Sequence, residues 1–167
     1  MATTYEKIAT TTLGSAAATI TFNSIAASWT DLRLVLTSSV SATGSELKLT
    51  FNNDTGTNYS FTTLYGYGST ANSYRETTRV GIPLDAAFGI PNTQWALWTA
   101  DIFSYAGSTF KTALTTGSND NNGSGATFRN VGLWRSTSAI TRLDLSVSGG
   151  VTFSSGTTAT LYGILKA

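Results

Sequence analysis

Hydrophobic and polar positions alternate with a period of two along most of the chain. In Asp31–Thr37, Leu32, Leu34 and Leu36 fall on one side while Arg33 and Thr37 fall on the other. In Glu46–Phe51 the apolar set is Leu47, Leu49 and Phe51, and near the end it is Leu143, Leu145 and Val147, each interleaved with polar residues. Such alternation marks a half-buried strand of an antiparallel sheet. Turn signals separate the runs: Ala42-Thr43-Gly44-Ser45, Asn52-Asn53-Asp54-Thr55-Gly56, Tyr67-Gly68-Ser69, Ala106-Gly107-Ser108 and Gly149-Gly150. The pattern predicts about eleven strands, near 5–13, 17–24, 31–40, 46–52, 58–66, 74–82, 95–103, 109–117, 126–135, 139–148 and 157–166. The expected fold is an all-β antiparallel sandwich, jelly-roll-like, in one domain spanning residues 1–167.

Two segments break the simple alternation. Gln94–Phe103 carries Trp95 and Leu97 on one side and Ala96, Trp98, Ala100 and Ile102 on the other. Thr158–Lys166 sets Leu161 and Leu165 against Tyr162 and Ile164. A strand apolar on both faces is either central in a sandwich or covered by a second subunit. Both readings stay open on sequence grounds, the covered central strand being the plainer.

Composition supports strands and removes most chemistry. The 31 threonines and 20 serines favour the pleated backbone, while good helix formers are scarce. There is no histidine and no cysteine. That excludes Cys/His nucleophile pairs, zinc fingers, haem and iron–sulfur ligation, disulfides, and a histidine general base. A net charge of +1 gives no electrostatic case for nucleic acid or an anionic membrane as a partner. No apolar stretch approaches the roughly 18 residues of a membrane span. The opening Met1-Ala2-Thr3-Thr4 lacks the basic-then-apolar run of a secretion signal, so the chain is expected to work in soluble form without its own export signal.

No catalytic or metal constellation emerges from spacing. The nine carboxylates include no pair forced together, as a glycosidase would require. Gly66-Tyr67-Gly68 reads as a hairpin end, and no phosphate-binding or dinucleotide motif is present. The Asn119–Gly125 loop is oxygen-rich, but it lacks the ligand register and closing glutamate of an EF-hand and reads as a solvated loop. Three glycosylation-type sequons are expected by chance in so Ser/Thr-rich a chain. Trp29, Trp95, Trp98 and Trp134 are placed in a core or interface ahead of a sugar-stacking platform. No cofactor and no metal is expected, and the chain reads as a non-enzyme.

Several segments carry a resemblance. They are Tyr5-Glu6-Lys7-Ile8-Ala9-Thr10-Thr11-Thr12-Leu13-Gly14-Ser15, Trp29-Thr30-Asp31-Leu32-Arg33-Leu34, and Phe51-Asn52-Asn53-Asp54-Thr55-Gly56-Thr57-Asn58-Tyr59-Ser60. Ile20-Thr21-Phe22-Asn23-Ser24-Ile25, Leu64-Tyr65-Gly66-Tyr67-Gly68-Ser69, Gly132-Leu133-Trp134-Arg135-Ser136-Thr137, Ala139-Ile140-Thr141 and Leu161-Tyr162-Gly163-Ile164 complete the set. Over most of its length the chain resembles small virion proteins of tailed phages, notably those of cyanobacterial and other aquatic hosts. The likeness rests on framework residues and carries no catalytic signature. It implies a component of a phage particle; as one compact module, where tail receptor binders are often longer, the chain is expected to be a capsid decoration (cement) protein on the outer surface, with the major capsid protein and copies of itself as partners. A trimer is expected from that setting, with Trp95, Trp98 and Tyr162 as candidate contact residues. The alternative is a tail or fibre component that binds host polysaccharide; a free carbohydrate-binding module would share the aromatics but not the framework.

Overall fold

The computed structural model describes residues 4–43, 46–85, 89–120 and 125–165. Strands account for all regular structure among them, with no helix. In chain order they are β1 (Tyr5–Thr12), β2 (Thr19–Phe22), β3 (Asp31–Ser38), β4 (Leu47–Phe51), β5 (Tyr59–Tyr67) and β6 (Thr70–Arg79). There follow β7 (Ile82–Pro83), β8 (Ala96–Phe103), β9 (Lys111–Asn119), β10 (Ala126–Trp134), β11 (Leu143–Val147) and β12 (Thr158–Ile164). Each of the eleven expected segments holds a strand. The twelfth, β7, is too short to show a period and was merged into the segment before it. The Asn119–Gly125 loop and the Ala42–Ser45 turn lie partly outside the described residues.

Two antiparallel sheets form, one in the order β1-β12-β3-β8-β9-β10-β5-β6 and the other β2-β11-β4-β7. The pairing is nested. The first strand pairs with the last (β1 with β12), β2 with β11, β3 with β8, and β4 with β7. A long double hairpin folded over on itself in this way is a jelly roll, its strands shared between two packed sheets. The β5–β6 and β9–β10 hairpins are additions to that plan. Both join the larger sheet, widening it from four strands to eight.

The alternating residues build the core. Leu32, Leu34 and Leu36 of β3 meet Leu47, Leu49 and Phe51 of β4 and Leu143 and Leu145 of β11 in one buried cluster. The added hairpins need cover of their own, and the segment around β7 supplies it. Buried Asn130 on β10 donates from Nδ2 to the Pro83 carbonyl at 3.1 Å and to Thr115 Oγ1 at 2.8 Å. Gly132 leaves room for Ile82, which a Cβ there would strike. Two tyrosine hydroxyls tie loops to the core ends. Tyr59 accepts from the Phe51 N–H at 3.0 Å, and Tyr105 accepts from the Trp29 N–H at 3.3 Å. The small sheet and the β7 segment thus cover one face of the large sheet, whose other face is left uncovered by the described residues.

Candidate interaction face

Register places the uncovered face residue by residue. Outward from β3 point Arg33, Val35 and Thr37, and opposite them on β8 stand Asp101, Thr99 and Leu97. The same rows continue through Leu114, Thr116 and Ser118 of β9 to Val131, Arg129 and Thr127 of β10. On β5 they reach Thr62, Leu64 and Gly66, and on β6 Arg75, Ser73 and Ala71. At the other edge, Thr158, Thr160 and Tyr162 of β12 precede Thr12, Thr10 and Lys7 of β1. Threonine hydroxyls bond across this edge, Thr10 to Thr160 at 3.1 Å and Thr12 to Thr158 at 3.0 Å.

The face is unusually apolar for one open to solvent. Leu64 is 59% exposed, Trp95 52%, Leu97 51%, Val131 47%, Tyr5 46% and Phe103 43%. These six are most of the exposed large hydrophobic side chains among the described residues, and they share one sheet face. Scattered surface apolar groups need no explanation, but their concentration on one sheet face makes it the candidate interaction site.

Trp95, one residue ahead of β8 and in phase with Leu97, lies at the rim of this face with its ring 3.3 Å from the position of a Cβ on Gly156. Tyr162 is half-buried on the same face, its ring 4.8 Å from that of Tyr5. Trp98 is corrected. It points inward and is fully buried, its Nε1 donating to Ser38 Oγ at 3.1 Å and its ring 6.1 Å from Phe128. It belongs to the core and takes no part in a surface contact. Trp134 is likewise buried, donating to Asp54 Oδ2 at 2.6 Å, and Trp29 covers Gly163. Of the four tryptophans only Trp95 is exposed.

Sequence reading missed Tyr5, Leu64, Phe103, Val131, Arg75 and Arg129. Their signal was present in part: β10 alternates Arg129, Val131 and Leu133 with Phe128, Asn130 and Gly132. Both phases contain apolar and polar residues, so the period is visible and the inward phase is not.

The charges on this face are uneven. Asp101 is paired with Arg33 at 3.3 Å, and Asp31 accepts from the Ser104 N–H at 2.6 Å. Lys7, Arg75 and Arg129 point outward with no carboxylate partner among the described residues. Other carboxylates are engaged elsewhere. Glu46 and Glu76 hold Arg79, and Asp144 accepts from both Nε and Nη2 of Arg142 at 2.8 Å. Burial alone would raise the Asp144 carboxyl, but the Arg142 fork and the Thr21 hydroxyl outweigh it and hold it low. Asp85 is the reverse case. It is fully buried, and burial pushes its carboxyl up to about 8 against the pull of the Leu47 N–H, which it accepts at 2.9 Å.

A second, polar depression lies where the loops after β2, β4 and β10 meet. Asn23, Ser24, Asn52, Asn53, Thr141 and Arg142 line it. Ser24, Asn52 and Asn53 there hold φ of 54°, 51° and 57°. Asn52 clamps the loops together, its Oδ1 accepting from the Thr141 and Arg142 N–H groups at 2.9 and 3.0 Å. No group of three or more His, Cys, Asp or Glu side chains able to hold a metal occurs among the described residues. The large face offers aliphatic and aromatic area, threonine hydroxyls, and cations with no carboxylate partner among the described residues. No family model matches the chain, and no curated protein matches it.

Proposed function

We propose that the chain is a structural protein of a tailed-phage virion, a decoration protein that cements the outer shell by laying the open face of its large sheet on the major capsid protein. One observation carries the reading: an eight-stranded sheet with one face left uncovered and rich in exposed apolar side chains. Extended and held by its ladders of backbone hydrogen bonds, such a surface suits lateral packing between subunits. Association with copies of itself, as trimers on the threefold positions of a shell, uses the β1, β12 and β8 side of the face, along which Tyr5, Tyr162, Trp95 and Phe103 are spread. The resemblance to small phage virion proteins supports the setting.

A second reading has its own observation. The polar depression around Asn23, Asn53 and Arg142 presents amides and a guanidinium suited to sugar hydroxyls, which fits a tail or fibre component that binds host polysaccharide. Copy number in purified particles separates the two. Hundreds of copies per virion are expected; fewer than about twenty would place the chain in a closed tail ring instead.

A further inference from the structure

We propose that the β5, β6, β9 and β10 part of the open face docks an extended segment of another protein that presents, on one face, carboxylates at positions i and i+4 with an aliphatic side chain at i+2, Arg129 and Arg75 holding the two carboxylates. This rests on the reading of the chain as a shell component and names the chemistry of the surface it meets.

The groove follows from register. Side by side run the rows Thr116–Arg129–Leu64–Ser73 and Leu114–Val131–Thr62–Arg75. Contiguous shallow depressions open between the two rows, beyond Val131 toward Leu133, and beyond Leu64 toward Gly66 and Thr127. Leu64, Leu114, Val131 and Leu133 form the apolar floor, Arg129 borders two of the depressions, and Arg75 borders the third. The two arginines are two strands and one row apart, so their Cα atoms are separated by about 12 Å on standard sheet spacings. In an extended chain, same-face residues i and i+4 are roughly 13 Å apart. Two carboxylates at that spacing meet the two guanidiniums while the residue between them rests on the floor.

Charge selects this occupant over a second copy. Both arginines are exposed and lack a carboxylate partner among the described residues, whereas Asp101, on the same face, is already taken by Arg33. Two such faces packed together would set unpaired cations against one another with no free carboxylate between them, and like charges at an interface are strongly disfavoured. A guanidinium beside dry aliphatic surface is a good seat for a carboxylate, because it binds with two parallel hydrogen bonds and screening is reduced. The floor argues against polysaccharide at this place. Sugar rings favour aromatic faces, and the outward residues of β5, β6, β9 and β10 include none.

The test is a titration of the full chain against fluorescently labelled synthetic strands, read by anisotropy. One strand repeats Glu-Ser-Val-Ser, so that glutamate and valine alternate along a single face, a second carries lysine in place of each glutamate, and an oligogalacturonate supplies the anionic-sugar arm. The glutamate strand is expected to bind, and to lose roughly tenfold in affinity or more in the Arg75→Glu/Arg129→Glu double variant. Its affinity is also expected to fall as salt is raised. Both substitutions are at exposed sites, and an unchanged circular dichroism spectrum verifies that the variant is folded. Failure of the glutamate strand to bind, equal binding of the lysine strand, unchanged affinity in the double variant, or preferred binding of the oligogalacturonate would each overturn the proposal. The shell reading fails separately: absence of the protein from purified particles would overturn it while leaving binding to the glutamate strand untouched.

Discussion

At the scale of single residues, the core is organised by close approaches that need glycine. The Trp98 ring lies against Gly117 on the neighbouring strand β9, and Trp29 lies against Gly163 on β12. In both places a Cβ would overlap the indole. Gly117→Ala is therefore expected to destabilise the protein by about 1–3 kcal/mol through overpacking, read from its urea midpoint. Leu34, Leu49 and Leu145 lie at the opposite extreme of the same packing, fully enclosed with no solvent contact. Alanine at any one of them should cost about 2–5 kcal/mol. A loss under about 0.5 kcal/mol at all three would mean that the buried and exposed faces are exchanged.

Asp85 adds a pH dependence at the same scale. Its carboxyl titrates near 8 in the folded chain but near about 3.9 when unfolded, so the folded state binds more protons in between. Stability contributed by this group is therefore greatest below about pH 4, falls through the window up to about pH 8, and is flat above it. Glu46 adds to the upward push and Arg79 opposes it, while burial dominates. The Asp85→Asn variant keeps an acceptor for the Leu47 N–H and loses the charge. Its unfolding free energy, measured across that window, is expected to decline less steeply than that of the wild type.

At the scale of elements, strands were legible and their environments only half so. Leu32–Leu36 alternates cleanly with polar residues, so both the strand and its inward phase could be read. Gln94–Phe103 is apolar in both phases, which left both a covered central strand, the plainer reading, and a subunit contact open. In the structure β8 is central, fourth in the large sheet, yet only one of its faces is covered. Trp98 and Trp95 were indistinguishable by type. The three-residue offset sends one into the core and the other to the surface, and it takes the phase of Ala96, Ala100 and Ile102 to tell which is which. The β5–β6 and β9–β10 additions were legible as strands but not as extensions of one sheet, because their pairing partners are set by long-range register. The arginines without a carboxylate partner among the described residues were invisible for the same reason: the fold sets Asp101 against Arg33 and Glu76 against Arg79 instead. Side chains on the open face should matter little to folding. Leu97→Glu is expected to shift the unfolding free energy by no more than about 0.5 kcal/mol while weakening self-association in light scattering.

At the scale of the whole molecule, the two sheets have different tasks. The four-stranded sheet, with β7 and its flanking segment, serves as the cover that buries the core. The eight-stranded sheet is the larger surface, and widening it by two hairpins adds the part that carries Leu64, Leu114, Val131 and the two free arginines. A module built only to be stable would gain nothing from doubling a sheet whose added strands expose apolar side chains. A module built to lie flat on a partner gains contact area and keeps it on rigid strands. Hydroxyl-radical footprinting of the protein free in solution and bound to intact particles measures this directly. Trp95, Phe103, Leu64 and Leu97 are expected to lose reactivity on the particle, while Lys48 and Thr50 on the far sheet keep theirs. Equal reactivity of the open-face residues in the two states, or protection confined to the small sheet, would contradict the account.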